Sequence, residues 1–146
     1  MTGTSSTVVI ALGSNLGDRR YHLLRAVHEL RHLVRIVCLS PIEETAPVDA
    51  PDGSPPFLNM VVVGHTNLPP ASLLAQLLTL ETRLGRIRPA VRNAPRVIDL
   101  DLILHGATRL RTPCLTLPHP RAATRPFVLT PLRACHQAAA AFVLRG

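Results

Sequence analysis

Thr7-Val8-Val9-Ile10-Ala11-Leu12 is an unbroken, β-branched apolar run that stops at the turn residues Gly13-Ser14-Asn15, which predicts a buried strand feeding a loop. After Asp18, a residue suited to cap a helix, Leu23, Leu24, Val27, Leu30 and Val34 recur at helical spacing with Arg and His between them. That pattern predicts an amphipathic helix of about four turns. Residues 36–40 and 57–63 predict two further strands, separated by a loop rich in Pro, Asp and Gly over about residues 45–56. Such a loop is long for a hairpin, and long loops tend to carry function. Pro69 and Pro70 open a second helix with the face Leu73, Leu74, Leu77, Leu78 and Leu84, and Gly85 is placed to end it. Residues 97–104 predict a fourth strand, followed by an extended stretch around 115–119 and a short helix near 126–135. The order β-α-β-β-α-β predicts an α+β, ferredoxin-like sandwich, two helices on one face of an antiparallel sheet. With no repeat and no linker, residues 1–146 read as a single domain.

Composition narrows the chemistry. With 47% hydrophobic and 17% charged residues the chain is globular, and all 16 of its basic residues are arginine. A Walker-type phosphate loop, a Schiff-base enzyme and a lysine general base are therefore excluded, although a GC-rich genome would leave the same absence of lysine. The net charge of +7 favours an anionic partner: nucleic acid, a membrane surface or a small phosphorylated ligand. Aromatic content of 3% argues against single-stranded nucleic acid, which needs stacking platforms. Cys38, Cys114 and Cys135 are odd in number and lack metal or redox spacing, so they read as thiols in a reducing compartment, with neither disulfide nor zinc expected. Met1 to Leu12 has no basic leader and no stretch reaches membrane-spanning length, which predicts a cytoplasmic protein.

Five arginines (Arg83, Arg86, Arg88, Arg92 and Arg96) occur without an intervening acid, and the chain then runs into Asp99-Leu100-Asp101-Leu102. Guanidinium forks grip phosphate oxygens, and carboxylates two apart on a strand share a face and can hold a hard cation. Either half alone is also what a solvated surface looks like. Together they point to magnesium and a polyphosphate. Pro89 and Pro95 keep the arginine stretch out of helix and strand, so Arg86, Arg88 and Arg92 read as a basic loop that moves, with Arg96 at the strand edge. Val97 is expected to share the face of the two aspartates. Phe57 and Asn59 share a strand face, and His119 stands between two prolines; the other six histidines read as surface or capping residues.

Ala11-Leu12-Gly13-Ser14-Asn15-Leu16-Gly17-Asp18, Glu44-Thr45-Ala46-Pro47, Phe57-Leu58-Asn59, Pro95-Arg96-Val97-Ile98-Asp99-Leu100-Asp101 and Leu117-Pro118-His119 with Arg125-Pro126-Phe127 resemble the 6-hydroxymethyl-7,8-dihydropterin pyrophosphokinase family, in its order and over nearly the whole chain. The resemblance implies transfer of pyrophosphate from ATP to the pterin's hydroxymethyl oxygen in folate synthesis, with two Mg2+ ions as cofactor. It implies Asp99 and Asp101 as metal ligands and, with Arg86 and Arg92, as catalytic residues. Glu81, Arg88, Arg96, Leu102, His119 and Arg125 would bind ATP. Gly13, Thr45, Pro47, Val48, Phe57, Asn59 and Phe127 would bind the pterin, the two phenylalanines sandwiching the ring. The chain departs from the family at Asn93-Ala94, where an aromatic and a glycine are usual. The partners expected are these two substrates, with no nucleic acid, no membrane and a monomeric protein. A basic RNA-binding module and a relative that has lost turnover are the competing readings.

Overall fold

The computed structural model describes residues 5–47, 50–86 and 95–145, without the side chain of Phe127. The first apolar run forms strand β1 (Ser6–Ser14), which takes a central place in a five-stranded sheet. On one side it pairs with β5 (Asp99–His105) and on the other with β4 (Phe57–Thr66), beyond which lies β2 (Arg35–Leu39). A three-residue β3 (Glu43–Thr45) also pairs with β4. Every pairing is antiparallel, in the order β2-β4-β1-β5. A two-stranded ribbon, β6 (Leu110–Arg111) and β7 (Thr116–Leu117), precedes a cis peptide at Leu117–Pro118 and a 3-10 turn at Ala122–Thr124.

Both faces of the sheet are covered, which is why β1 and β4 read as continuous apolar runs and not as alternations. Helices α1 (Arg19–Leu30) and α2 (Pro70–Arg83) lay Leu23, Ala26, Leu30, Leu73, Leu77 and Leu80 on Val8, Ile10, Leu12, Met60 and Val62. The opposite face, expected to be open, carries α3 (Pro126–Cys135) and α4 (Gln137–Arg145), packed through Val128, Leu129, Leu132, Ala140 and Val143 onto Val9, Val61, Val63 and Ile103. Helix α4 was not expected from the sequence. Its Ala-rich stretch has strong helix propensity, and His136 both interrupts α3 with an extended backbone and accepts the Ala139 N–H at 3.1 Å.

Several expectations need correction. Asp18 does cap α1, accepting the Tyr21 N–H at 3.2 Å, but the helix stops at Leu30. Val34 is buried after a tighter turn closed by His32 N to Glu29 O and Leu33 N to Leu30 O; such a turn preserves the three-to-four spacing that looked like more helix. Leu24 and Leu78 are 49% and 44% exposed, and Ala26 and Leu80 take their places in the core. The short strand β3, absent from the expected order, ends at Thr45, where the long loop begins. Val97 precedes β5 and packs with the α1/α2 core, not beside the aspartates. His105 is buried, its Nε2 2.7 Å from the Leu68 carbonyl, so it is not a surface residue. Cys38 and Cys135, expected to be free thiols, form a disulfide with Cα atoms 5.8 Å apart. They lie 97 residues apart in sequence, a separation that no spacing motif encodes. Cys114 is free and exposed. Among the described residues, no helix is long and apolar enough to cross a membrane.

Gly64 marks the tightest contact in the sheet. A Cβ there would meet the Val34 side chain and lie 2.6 Å from the Arg35 carbonyl oxygen. Backbone cannot step aside as a side chain can, so Gly64→Ala is expected to cost about 3 kcal/mol, at the upper end of overpacking. Urea unfolding would read this as a lower midpoint.

Candidate active site

The site grows from the C-terminal half of β1. In register, Gly13 sits between Asn59 on β4 and Asp99 on β5, and Ala11 between Val61 and Asp101. Residues directly opposite share a face, so the two aspartates and Asn59 project from one side of the sheet with only a hydrogen and a methyl group between them. A Cβ at Gly13 would lie 3.2 Å from Phe57 Cδ1 and 3.3 Å from Asn59 Oδ1. The missing side chain is what lets the ring and the amide lean over β1. Asn59 Nδ2 donates to Thr45 Oγ1 at 2.6 Å, so β3 contributes the second polar group of this corner. Gly13→Ala is expected to leave the protein folded while weakening a flat ligand held there about tenfold, through displacement of Phe57 and Asn59 by a few tenths of an ångström. Calorimetric titration with a flat bicyclic heterocycle checks it.

On the other side of Gly13 lies a charged cluster. Arg86 Nη1 donates to Asp99 Oδ1 at 2.7 Å and to Glu81 Oε2 at 2.8 Å, and Leu100 N–H donates to the same Glu81 oxygen at 2.7 Å. Glu81 is only 2% exposed. Burial works against the Arg86 charge, but Asp99 and Glu81 outweigh it and hold its pKa above the usual value. Arg86 N–H also bonds the Glu81 carbonyl at 3.0 Å, so this arginine is anchored to the end of α2 and is not part of a free loop. Arg96 reaches Asp99 Oδ2 at 3.9 Å and lies over the Phe57 ring, its Cζ 5.3 Å from the centroid. Arg83 instead pairs with Glu29 at 3.6 Å and is largely exposed. Asp101 differs from its neighbour. Burial, reinforced by the Asp99 charge and opposed by Arg125, pushes its carboxyl up to about 7.

These groups line one cavity of about 540 Å³, within the range of small-molecule sites. Gly13, Thr45, Phe57, Asn59, Glu81, Arg86, Arg96, Asp99, Asp101, Leu102, His119 and Arg125 all border it. Pro47 does not. Val48, Arg88 and Arg92 lie outside the described residues, as does the side chain of Phe127. His119 is delivered by its N–H bond to the Ile103 carbonyl at 2.8 Å, and its Nδ1 accepts the Arg121 N–H at 3.2 Å. Burial and the Arg125 and Arg121 charges lower its pKa, so it is a neutral imidazole with its proton on the other nitrogen. Sequence reasoning missed Arg121 and the 112–116 wall, which the β6/β7 ribbon brings to the cavity; residues 110–117 carry too short a pattern to announce a ribbon.

The donor set suits a hard cation. Two carboxylates on one strand face, one pushed toward its neutral form by burial and by the charge of the other, suit a divalent ion bound partly by phosphate oxygens. Among the described residues no group of three or more His, Cys, Asp or Glu side chains forms a self-sufficient metal cage. Magnesium usually needs none, taking one or two carboxylates plus substrate phosphates.

Residues 9–137 match the family model described as 7,8-dihydro-6-hydroxymethylpterin-pyrophosphokinase. The chain is 43% identical over 126 residues to the mitochondrial folate synthesis bifunctional protein of Pisum sativum, covering 86% of this chain and 24% of that one. It is 45% identical over 125 residues to the 2-amino-4-hydroxy-6-hydroxymethyldihydropteridine pyrophosphokinase of Bacillus subtilis, covering 84% and 74%. The chain thus spans about a quarter of the pea protein. A crystal structure of Plasmodium falciparum HPPK-DHPS with pteroate superposes with a TM-score of 0.69 at 15% identity, covering 91% of this chain and 39% of that one. At that identity the likeness concerns the fold.

Proposed function

Because the chain belongs to the 7,8-dihydro-6-hydroxymethylpterin-pyrophosphokinase family, we propose that it transfers pyrophosphate from ATP to 6-hydroxymethyl-7,8-dihydropterin, releasing AMP, in folate synthesis. The observation that carries this reading is the shared cavity, in which the Phe57–Asn59–Thr45 corner and the Arg86–Asp99–Arg96 cluster meet across Gly13. A pterin is flat and apolar on its faces and polar at its edge. Phe57 supplies a stacking surface, and Asn59 and Thr45 supply edge donors and acceptors. The attacking hydroxymethyl group then points past Gly13 toward the charged side. There the pterin oxygen forms a bond to the β-phosphorus of ATP, the bond from that phosphorus to the α-phosphate oxygen breaks, and the hydroxyl proton is released. Arg96, Arg125 and Arg86 offset the triphosphate charge, and His119 offers a neutral ring N–H to the nucleotide.

Asp99 and Asp101 would hold magnesium, which when bound supplies charge neutralisation at the phosphate oxygens. The β-α-β-β-α-β connection, with β3 as an addition, supports a ferredoxin-like reading of the sheet. We read residues 1–146 as one pyrophosphokinase domain, monomeric and cytoplasmic. A cytoplasmic disulfide is uncommon, which makes the Cys38–Cys135 bond the feature least expected of that setting. An RNA-binding sheet is disfavoured by Asp99 and Asp101, which repel phosphate unless a cation intervenes.

Incubation of the protein with ATP, magnesium and the hydroxymethyl dihydropterin, followed by AMP quantification, tests the proposal. Pterin-dependent AMP release is expected. Its absence would overturn the activity, and salt-sensitive RNA retention on a filter without magnesium would favour the binding module.

A further inference from the structure

Between β1 and α1 one side chain joins the two halves of the cavity from behind. Asn15 is 1% exposed. Its Oδ1 accepts the Arg96 N–H at 2.8 Å, its Nδ2 donates to the Pro55 carbonyl at 3.2 Å, and its own N–H donates to the Arg96 carbonyl at 3.1 Å. The partners fix which end of the amide is which, because one is an N–H and the other a C=O. Pro55 lies two residues before Phe57, and Arg96 three before Asp99. Arg19 adds to the first attachment by donating to the Pro56 carbonyl at 2.9 Å while pairing with Glu44 at 2.9 Å. Arg96, held in this way, lies over Phe57.

We propose that Asn15 is a positioning residue that sets the heterocycle-binding corner and the phosphate-binding segment at a fixed separation, touching neither substrate. It rests on the functional reading above. The reasoning is stereochemical. An in-line transfer between two substrates tolerates little error in their separation, and both segments enter the site from chain that no strand pairing controls. Asparagine alone among short side chains offers one acceptor and one donor on a rigid plane. Aspartate keeps the acceptor for Arg96 but loses the donor for Pro55, alanine loses both, and the backbone bond to Arg96 survives in each.

The two attachments can therefore be cut separately. Calorimetric titrations with the hydroxymethyl dihydropterin alone, and with a non-hydrolysable ATP analogue plus magnesium alone, are compared for the parent, Asn15→Ala, Asn15→Asp and Val143→Ala. The last trims a buried α4 residue that does not line the cavity and controls for lost stability. Asn15→Ala is expected to weaken both ligands about tenfold or more, and Asn15→Asp to weaken the pterin by that factor while nucleotide affinity stays within about threefold. Val143→Ala should lower the melting temperature and change neither affinity. Unchanged affinities in both Asn15 variants, or equal losses for both ligands in Asn15→Asp, overturn the proposal; if the alanine variant does not fold, the aspartate variant decides alone. Should the parent bind neither ligand, the functional reading has failed instead. Amide exchange then judges the attachment itself: Arg96 N–H should be protected in the parent and in Asn15→Asp, and equal protection in Asn15→Ala would overturn it.

Discussion

Asp99→Ala and Asp101→Ala proteins are expected to release AMP at least about a thousandfold more slowly than the parent, because electrostatic stabilisation of the transferring group is the largest single contribution such a site makes. Neither change should unfold the protein. The Asp101 carboxylate is expected to cost stability at neutral pH when no metal is present. Its folded-state pKa of about 7 stands above the ordinary 3.8, so between those values the folded state holds a proton that the unfolded state has released. Stability contributed by this group is therefore present below pH 4 and is lost as pH rises to 7. Asp101→Asn abolishes that loss, and at pH 8 in chelator the variant should be about 2 kcal/mol more stable than the parent, a figure discounted for partial access to water. At pH 4 the two should differ little. Denaturant melts at both pH values, set beside the AMP assay, separate a residue kept for chemistry from one kept for structure. A variant of full activity would sink the metal assignment.

Much of this site was legible in the chain because its residues are close in sequence to what they do. Asp99 and Asp101 needed only the two-residue period of a strand, and Phe57 and Asn59 the same. Gly13 was legible as a turn residue and, through the family resemblance, as part of the pterin site; only the register shows that it lies between Asn59 and Asp99. The arginine run was legible as a charge pattern but not as a geometry. Arg83 pairs with Glu29 across α1 and α2, Arg86 turns inward onto Glu81 and Asp99, and Arg96 lies over a ring 39 residues away in sequence. What decides among those fates is packing, and packing is long-range. The same holds for the Cys38–Cys135 bond and for His105, whose partners are set by which helix lands on which face. Asn15 was visible only as a turn residue, since the two carbonyls and the N–H that it engages belong to Pro55 and Arg96.

Glu81 is expected to carry as large a stability effect as Gly64. It occupies a position of α2 where the helical period asks for leucine, and it is buried among Leu77, Leu80 and Leu84. A lone carboxylate there would be prohibitive, and the structure shows why it is tolerated: one oxygen takes both the N–H of Leu100, the second residue of β5, and the Arg86 guanidinium. Glu81→Ala removes that acceptor from a buried donor and from half of a buried ion pair. Arg86 retains Asp99, so the loss is expected at the lower end of such cases, about 3 kcal/mol, read as a fall in the urea midpoint. Glu81→Gln should cost less, about 1 kcal/mol, since an amide oxygen in the same place still accepts from both Leu100 and Arg86 and only the charge of the pair is lost. The functional consequence runs the other way. With Glu81 neutral, Arg86 has one carboxylate left to pair with, and that carboxylate is Asp99. A tighter Arg86–Asp99 pair competes with any cation for the same oxygen, so Glu81→Gln is expected to need about tenfold more magnesium for half-maximal AMP release. A magnesium requirement equal to the parent's would mean that Glu81 serves only as a buried pillar between α2 and β5.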